Sequence, residues 1–209
     1  MIPGPEALER LREGNARFAM NVRGPDTFVS HTRRAELAAG QEPFAIVFGC
    51  SDSRVPAELV FDQGLGDLFV IRVAGNIVAP SLVGSVEFAA AMFHTRLVVV
   101  LGHTQCGAIQ ATLDELLDPA DDHSPNLRDI VERVRPAVEG LVGTDLRHDR
   151  TALMAQAVRA NICASADHLR HGSAVLEQLI REDGLLIVGA EYSLETGEVD
   201  FFDGVPAAG

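Results

Sequence analysis

The chain has 209 residues, of which 47% are hydrophobic and 22% are charged, which is ordinary for a soluble globular protein and sufficient for one domain with a full core. Its net charge of −13 and its lack of any basic cluster argue against nucleic acid as a partner. No apolar run approaches the roughly eighteen residues that span a bilayer, and the amino terminus lacks a signal-peptide pattern, so we expect a cytoplasmic protein that does not bind membranes.

The first predicted element is an amphipathic helix over Pro5 to Met20. Its apolar positions Leu8, Leu11 and Phe18 share one face among charged residues, and proline stands in its first turn. Because no strand follows directly, this apolar stripe can pack either within the chain or on a neighbouring subunit.

A connector over Asn21 to Ser30 and a short helix over Thr32 to Ala39 come next. We therefore interpret residues 1–209 as a single domain, with an N-terminal helical arm over residues 1–40 and an α/β core over residues 41–209.

Apolar runs and helical segments alternate through the rest of the chain. The predicted strands are Phe44–Gly49, Leu68–Val73, Leu97–Leu101 and Leu185–Val188, with Val199–Phe202 as a hairpin partner of the last. The predicted helices are Ala57–Phe61, Pro80–His94, Ala108–Leu117, Asn126–Val134 (ending near Pro136), Arg150–Leu169 and Ser173–Arg181, with a polar loop over Asp118–Ser124. Continuous apolar strands separated by helices predict an α/β fold, with a mainly parallel central sheet of about four parallel strands, an antiparallel edge strand and flanking helices.

Two polar motifs follow two of these strands. Residues Cys50, Asp52 and Arg54 come after the first strand, and His103 and Cys106 come after the third. Parallel sheets bind ligands outside the carboxyl ends of their strands, where both motifs lie. Cysteine sulfur and histidine nitrogen are preferred zinc ligands, so the sequence predicts a zinc site.

Three ligands leave the fourth position of a tetrahedral zinc site for water, as in catalytic sites, unless Asp52 occupies it instead. Asp52 and Arg54 stand two residues apart, which makes an ion pair geometrically easy. The alternatives are a core cysteine beside a surface aspartate, and a solvated surface ion pair.

The two motifs resemble those of the β-class carbonic anhydrases. The resemblance extends over nearly the whole chain and includes Gln41 with Pro43, the segment 69–76 and the segment 84–89. It implies a zinc enzyme, a carbonate dehydratase, that converts carbon dioxide to bicarbonate and a proton by means of a zinc-bound hydroxide. The implied metal ligands are Cys50, His103 and Cys106, with Asp52 joining them in a closed state only. The implied catalytic pair is Asp52 and Arg54.

The same resemblance implies a substrate pocket and an oligomer. The implied substrate-binding residues are Gln41, Phe69, Ala74, Phe88 and Gly107. Phe88 would come from a partner subunit, and the N-terminal helix would wrap around that partner, so a homodimer or homotetramer is expected.

One position departs from some bacterial members of the family. These carry a tryptophan where this chain has Val47, and they use it with an arginine and a tyrosine, matching Arg72 and Tyr192, to form a non-catalytic bicarbonate pocket. The pocket is therefore expected to be incomplete here, and Arg72 is expected to pair with an acid.

Two other functions stay open. A hydrolase of carbonyl sulfide or carbon disulfide on the same scaffold would use the same zinc chemistry on another linear, apolar substrate. A non-catalytic, zinc-stabilised binding protein is the third hypothesis, although such a protein would not need Asp52, Arg54 and Gln41.

Overall fold

Helices and strands alternate along the computed structural model, which describes residues 2–22, 31–118 and 124–207. The strands are β1 (Ala45–Cys50), β2 (Leu68–Val73), β3 (Leu97–His103), β4 (Leu186–Tyr192) and β5 (Val199–Asp203). The helices are α1 (Gly4–Ala19), α2 (His31–Leu37), α3 (Ala57–Val60), α4 (Pro80–Met92), α5 (Gly107–Leu117), α6 (Pro125–Val142), α7 (Arg150–His171) and α8 (Ala174–Asp183). Residues 23–30 of the predicted connector and residues 119–123 of the predicted polar loop lie outside the described residues.

A five-stranded sheet in the order β2-β1-β3-β4-β5 forms the centre of the structure. β1 pairs in parallel with β2 and β3, β3 pairs in parallel with β4, and β5 is antiparallel to β4. Every residue of β1 and β3 is buried, as their continuous apolar sequences indicate. The predicted fold class is therefore confirmed.

Helices cover both faces of the sheet and create two hydrophobic cores. On one face, α1 and α3 pack on side chains such as Val47 and Val99. On the other face, residues of α4 to α8 pack on side chains such as Ile46 and Phe48. In the described part of the chain, no helix combines the length and apolar character required to cross a membrane.

The stripe of α1 packs within the chain. Leu8 and Leu11 are buried in the core beneath α1, and Asn15 donates hydrogen bonds to the carbonyls of Val60 (3.1 Å) and Gly197 (2.9 Å). The expectation that these apolar residues lie on a neighbouring subunit is therefore wrong. Apolar side chains of the sheet and of α3 form the core that receives this stripe, while Val60 at the end of α3 and Gly197 in the β4–β5 turn supply the polar partners.

Helix α6 continues through Pro136 to Val142, so the prediction that it ends near Pro136 is also wrong. An internal proline removes a backbone hydrogen bond and costs about 3 kcal/mol. Val131, Val134 and Val138 are buried along one face of the same helix. Burial of a valine side chain contributes about 1.5 kcal/mol or more, so these three residues together offset the proline.

Strand β3 extends two residues beyond the predicted end and includes His103. The extra residues pair with β4, where His103 stands opposite Tyr192. The periodicity of apolar residues stops at Leu101, so the sequence pattern by itself did not include this histidine. The backbone of His103 is therefore part of the sheet and not of a loop.

Candidate metal centre

Cys50, His103 and Cys106 converge at the carboxyl end of the sheet. Cys50 ends β1, His103 ends the neighbouring β3, and Cys106 directly precedes α5. Their potential ligand atoms all lie within 4.8 Å of one another, and the two sulfur atoms are 3.9 Å apart. All three residues are buried, so the sequence-predicted ligands come together in a site shielded from solvent.

The His103 ring presents one nitrogen to this cluster. Its Nδ1 lies 2.8 Å from the Thr104 carbonyl oxygen. A carbonyl only accepts, so Nδ1 carries a proton, and in the neutral ring Nε2 keeps a free lone pair. Nε2 is buried and has no hydrogen-bond partner among the described residues. Buried polar atoms are rarely left unpaired, and a metal ion fits this nitrogen together with the two sulfur atoms.

The two thiols perturb each other. A hydrogen bond from Cys106 lowers the pKa of Cys50 well below its usual value, although burial acts in the opposite direction. The same hydrogen bond, followed by burial, raises the pKa of Cys106 above its usual value. Burial lowers the pKa of His103, but the adjacent Cys50 and the Thr104 carbonyl outweigh burial and raise it. Without a metal the sulfur pair thus carries one negative charge, which suits binding of a cation.

Gly75, in the segment that follows β2, donates a hydrogen bond to the Cys50 sulfur. Its N–H donates to Cys50 Sγ at 3.4 Å, and its carbonyl accepts from Asn161 Nδ2 at 2.9 Å. Its φ is +70°, and a Cβ atom here would lie 2.9 Å from the Cβ of Ala108. Both the backbone conformation and the close approach therefore require glycine.

Asp52 and Arg54 form a bidentate ion pair beside the cluster. Arg54 Nε donates to Asp52 Oδ1 at 2.9 Å, and Arg54 Nη2 donates to Asp52 Oδ2 at 2.7 Å. These bonds hold the pKa of Asp52 well below its usual range. Asp52 Oδ2 lies 3.8 Å from His103 Nε2. The carboxylate is thus next to the cluster but turned to Arg54, and its coordination of metal in a closed state stays a prediction.

Arg72 holds the backbone of the Cys50–Asp52 segment. It donates from Nε to the Cys50 carbonyl (2.9 Å) and from Nη2 to the Asp52 carbonyl (2.5 Å). Within the described ranges the partners of Arg72 are these two carbonyls. The expectation that Arg72 pairs with an acid is therefore wrong for this part of the chain. Tyr192 is buried on β4, which is separated from β2 by β1 and β3 in the sheet. The incomplete bicarbonate pocket stays a prediction.

Of the predicted substrate-binding residues, Ala74 and Gly107 lie at the metal centre. Ala74 directly precedes Gly75, and Gly107 directly follows Cys106. Gly107 is exposed, and apart from its chain neighbours and its own helix backbone a Cβ atom at this position would meet no heavy atom of the described residues within 4 Å. The space beside Gly107 is therefore open to a small molecule.

Gln41, Phe69 and Phe88 lie elsewhere, around Phe93. The Phe93 ring centroid is 6.0 Å from that of Phe69 and 5.4 Å from that of Phe88, and Phe93 lines a surface cleft with Gln41. Phe69 pairs with Ile46 on β1, and Ile46 stands four residues before Cys50. At about 3.3 Å per residue, Phe69 is therefore about 13 Å from the level of Cys50 along the strand direction. These three residues are therefore not brought to the metal centre of their own chain.

Sequence reasoning missed three supporting residues. Gly75 stood within a recognised motif, but its hydrogen bond to Cys50 arises only on folding. Arg72 was expected to contact an acid. Glu195, which binds the segment between His103 and Cys106, stands in a hairpin turn about ninety residues away and carries no sequence signal.

Comparison with known proteins gives consistent matches. A family sequence model described as carbonic anhydrase matches residues 45–199. The chain is 42% identical over 197 residues to a carbonic anhydrase of Mycolicibacterium smegmatis, covering 93% of this chain and 91% of that protein. It is 41% identical over 192 residues to carbonic anhydrase 2 of Mycobacterium tuberculosis, covering 91% of this chain and 89% of that protein.

A solved structure shares the fold. It comes from a study of two tetrameric β-carbonic anhydrases of Sordaria macrospora and matches with a TM-score of 0.73 at 25% identity. The match covers 84% of this chain and 87% of that chain.

Proposed function

Because the chain belongs to the β-class carbonic anhydrase family, we propose that it is a zinc-dependent carbonate dehydratase that interconverts carbon dioxide and bicarbonate. The observation that carries the proposal is the convergence of Cys50, His103 and Cys106 directly beside the Asp52–Arg54 ion pair. A purely structural zinc site has no use for an adjacent ionised carboxylate.

Cys50, His103 and Cys106 are the proposed zinc ligands. Two sulfur atoms and one imidazole nitrogen occupy three of the four positions that zinc prefers. Zinc, when bound, supplies Lewis acidity and lowers the pKa of water. Both sulfurs must be reduced in order to bind the metal, which supports a reducing compartment such as the cytoplasm.

Asp52 and Arg54 are the proposed catalytic pair. Arg54 keeps the Asp52 carboxylate ionised and fixes its direction through two side-chain hydrogen bonds. The free lone pairs of the carboxylate can accept a hydrogen bond from the attacking water. That bond would aim an oxygen lone pair of the water at the carbon of carbon dioxide.

Ala74 and Gly107 are the proposed walls of the substrate site within the chain. Ala74 has only a methyl group and Gly107 has no side chain, so neither places a polar side-chain group beside carbon dioxide, which is small and apolar. The exposed position of Gly107 leaves space for the substrate beside the metal ligands, and its backbone N–H is a donor that a developing bicarbonate can use.

The rest of the pocket is proposed to come from a second copy of the chain. Gln41, Phe69 and Phe88 lie together at a distance from their own metal centre. Phe88 is 50% exposed and its neighbour on α4, Met92, is 64% exposed, which suits a surface covered by a partner. In a two-fold dimer, Gln41, Phe69 and Phe88 of each chain would line the metal centre of the other chain. The tetrameric Sordaria proteins support such an assembly here.

Stopped-flow hydration of carbon dioxide by zinc-loaded protein tests the function. We expect rapid, zinc-dependent turnover for the natural sequence and a severe loss in Asp52→Asn, which keeps the shape of the side chain but lacks its charge. Carbonyl sulfide and carbon disulfide serve as competing substrates. Turnover of either sulfur compound without turnover of carbon dioxide, or zinc binding without any turnover, would refute the proposal.

A further inference from the structure

His103 and Cys106 are joined by a two-residue link, Thr104 and Gln105. The positions of both proposed ligands therefore depend on the conformation of this link. Gln105 has a φ of +54°, in the left-handed region that few residues other than glycine adopt. Such a conformation is strained and persists only when surrounding contacts hold it.

Both residues of the link bind one carboxylate. Thr104 Oγ1 donates to Glu195 Oε2 at 2.9 Å, and Gln105 Nε2 donates to Glu195 Oε1 at 2.6 Å. Ser193 Oγ also donates to Oε2, at 3.3 Å. These hydrogen bonds, that from Thr104 above all, lower the pKa of Glu195. The side chain is thus ionised at neutral pH and is a strong acceptor for both partners.

Thr104 is held at its other polar atoms as well. Its N–H donates to the Tyr192 carbonyl at 3.0 Å, and its Oγ1 accepts from the Leu194 N–H at 3.0 Å. Its carbonyl accepts from His103 Nδ1. The contact with Glu195 therefore acts on the residue that orients the His103 ring.

Gln105 is held between two charged side chains. Its side chain binds Glu195, and its carbonyl lies 3.4 Å from Arg54 Nη2 on the other side. Cys106 follows directly, so a shift of Gln105 moves the backbone that carries the second sulfur. The β4–β5 turn is in this way connected to both proposed ligands.

We propose that Glu195 is a positioning residue of the metal centre, which holds Thr104 and Gln105 so that His103 and Cys106 face the same ion. The inference rests on the proposed zinc site. It assigns to an exposed glutamate in a hairpin turn the function of keeping the donor atoms together before the metal arrives.

A set of matched variants tests the inference. Glu195→Ala removes both hydrogen bonds to Thr104 and Gln105, and Glu195→Gln keeps the size of the side chain but lacks the charge. Thr104→Val removes one of the two donors. Glu198→Gln is the control, because it removes the same charge from the same turn, while its backbone groups still bond to Thr196 and Ser193.

The measurements are zinc affinity, by competition with a chelator, and the visible absorption of cobalt-substituted full-length protein. Loss of a residue that orients metal ligands typically weakens affinity by about 10- to 100-fold. We expect a loss of this size for Glu195→Ala, a smaller loss for Glu195→Gln, and a cobalt spectrum altered in both. Glu198→Gln should match the natural sequence. Because Thr104 and Glu195 share one hydrogen bond, Thr104→Val combined with Glu195→Ala should cost less affinity than the sum of the single changes.

Other results would overturn the inference. Unchanged zinc affinity and an unchanged cobalt spectrum in Glu195→Ala would mean that Glu195 stabilises the turn and does not position the metal ligands. The same conclusion would hold if Glu198→Gln weakened zinc binding equally. These outcomes differ from a failure of the proposed function, in which the natural sequence itself would bind zinc without hydrating carbon dioxide.

Discussion

Arg54 donates three hydrogen bonds to the Asp52 carboxylate. Two come from its guanidinium, at 2.9 and 2.7 Å, and the third comes from its backbone N–H, at 2.9 Å. One residue thus fixes both the charge and the direction of its neighbour two positions earlier. A lysine at position 54 would keep the charge but could not reproduce the planar two-point contact.

The first prediction is therefore that Arg54→Lys lowers turnover by about 10- to 100-fold, as loss of an orienting residue commonly does. Zinc content should stay unchanged, since Arg54 is not a proposed ligand. Arg135→Lys is the matched control, because Arg135 makes a similar two-point contact with Glu132 on the surface of α6. Full activity of Arg54→Lys would contradict the proposed catalytic pair.

The second prediction is that zinc affinity falls as the pH falls. The hydrogen bond between the two thiols lowers the pKa of Cys50 and raises that of Cys106, so the metal-free pair retains a proton. Zinc must displace that proton, and acid favours its return. Affinity should therefore change by about tenfold per pH unit for each proton released. Isothermal calorimetry in buffers of different ionisation enthalpy counts the protons.

Cys163→Ser is the control for this measurement. Cys163 is a free, partly exposed cysteine on α7 and does not belong to the metal cluster. Its replacement should leave the proton count unchanged, while Cys106→Ser should lower it and weaken binding. An affinity that does not depend on pH would show that the sulfur pair is not the zinc site.

The third prediction concerns Gly75. Gly75→Ala should destabilise the fold by more than the ordinary strain of a left-handed alanine, which is about 1–2 kcal/mol. The added methyl would press on Ala108 and displace the N–H that supports Cys50. Urea unfolding and zinc affinity are the measurements.

Gly184→Ala separates the two effects. Gly184 has a φ of +69°, close to that of Gly75, but a Cβ atom there would meet nothing within 4 Å in the part of the chain that the structure describes, its immediate neighbours aside. It should show the backbone strain without the steric clash, and it should leave zinc binding intact. Equal destabilisation by both variants would mean that the contact with Ala108 relaxes easily.

The fourth prediction is that Met92→Arg reduces self-association and activity together. Met92 is 64% exposed on α4, one turn from Phe88, where the partner is proposed to bind. A buried, unpaired charge at an interface is strongly unfavourable. Light scattering measures the assembly. Leu127→Arg on α6, where the natural side chain is 54% exposed, is the control. A fully active monomer would contradict the shared site.

The fifth prediction is a pH-dependent exchange of Asp52 between Arg54 and zinc. We expect zinc-loaded crystals at about pH 6 to show Asp52 on the metal and those at about pH 9 to show it on Arg54, because hydroxide competes better for the metal as the pH rises. Activity should climb over the same range. Asp52 paired with Arg54 at both pH values would rule the exchange out.

The fold class and the donor set follow from local patterns in the amino-acid sequence. Short continuous apolar runs such as Leu97–Leu101, separated by helical segments, are typical of strands that are buried on both faces of a sheet, and parallel strands bring the residues at their carboxyl ends to one edge. Cys50 follows one predicted strand, and His103 and Cys106 follow another, so the three residues could be assigned to one site. Both properties are local patterns, which a single sequence displays directly.

The contacts that hold these groups join residues far apart in the chain, so they form only on folding. The sequence does not reveal that α1 finds its apolar partner within the chain, or that buried valines allow α6 to continue through Pro136. Glu195 binds Thr104 across a separation of 91 residues, a contact that exists only when β4 lies beside β3. Residue types determined which metal chemistry is available, and packing decided which way each donor points.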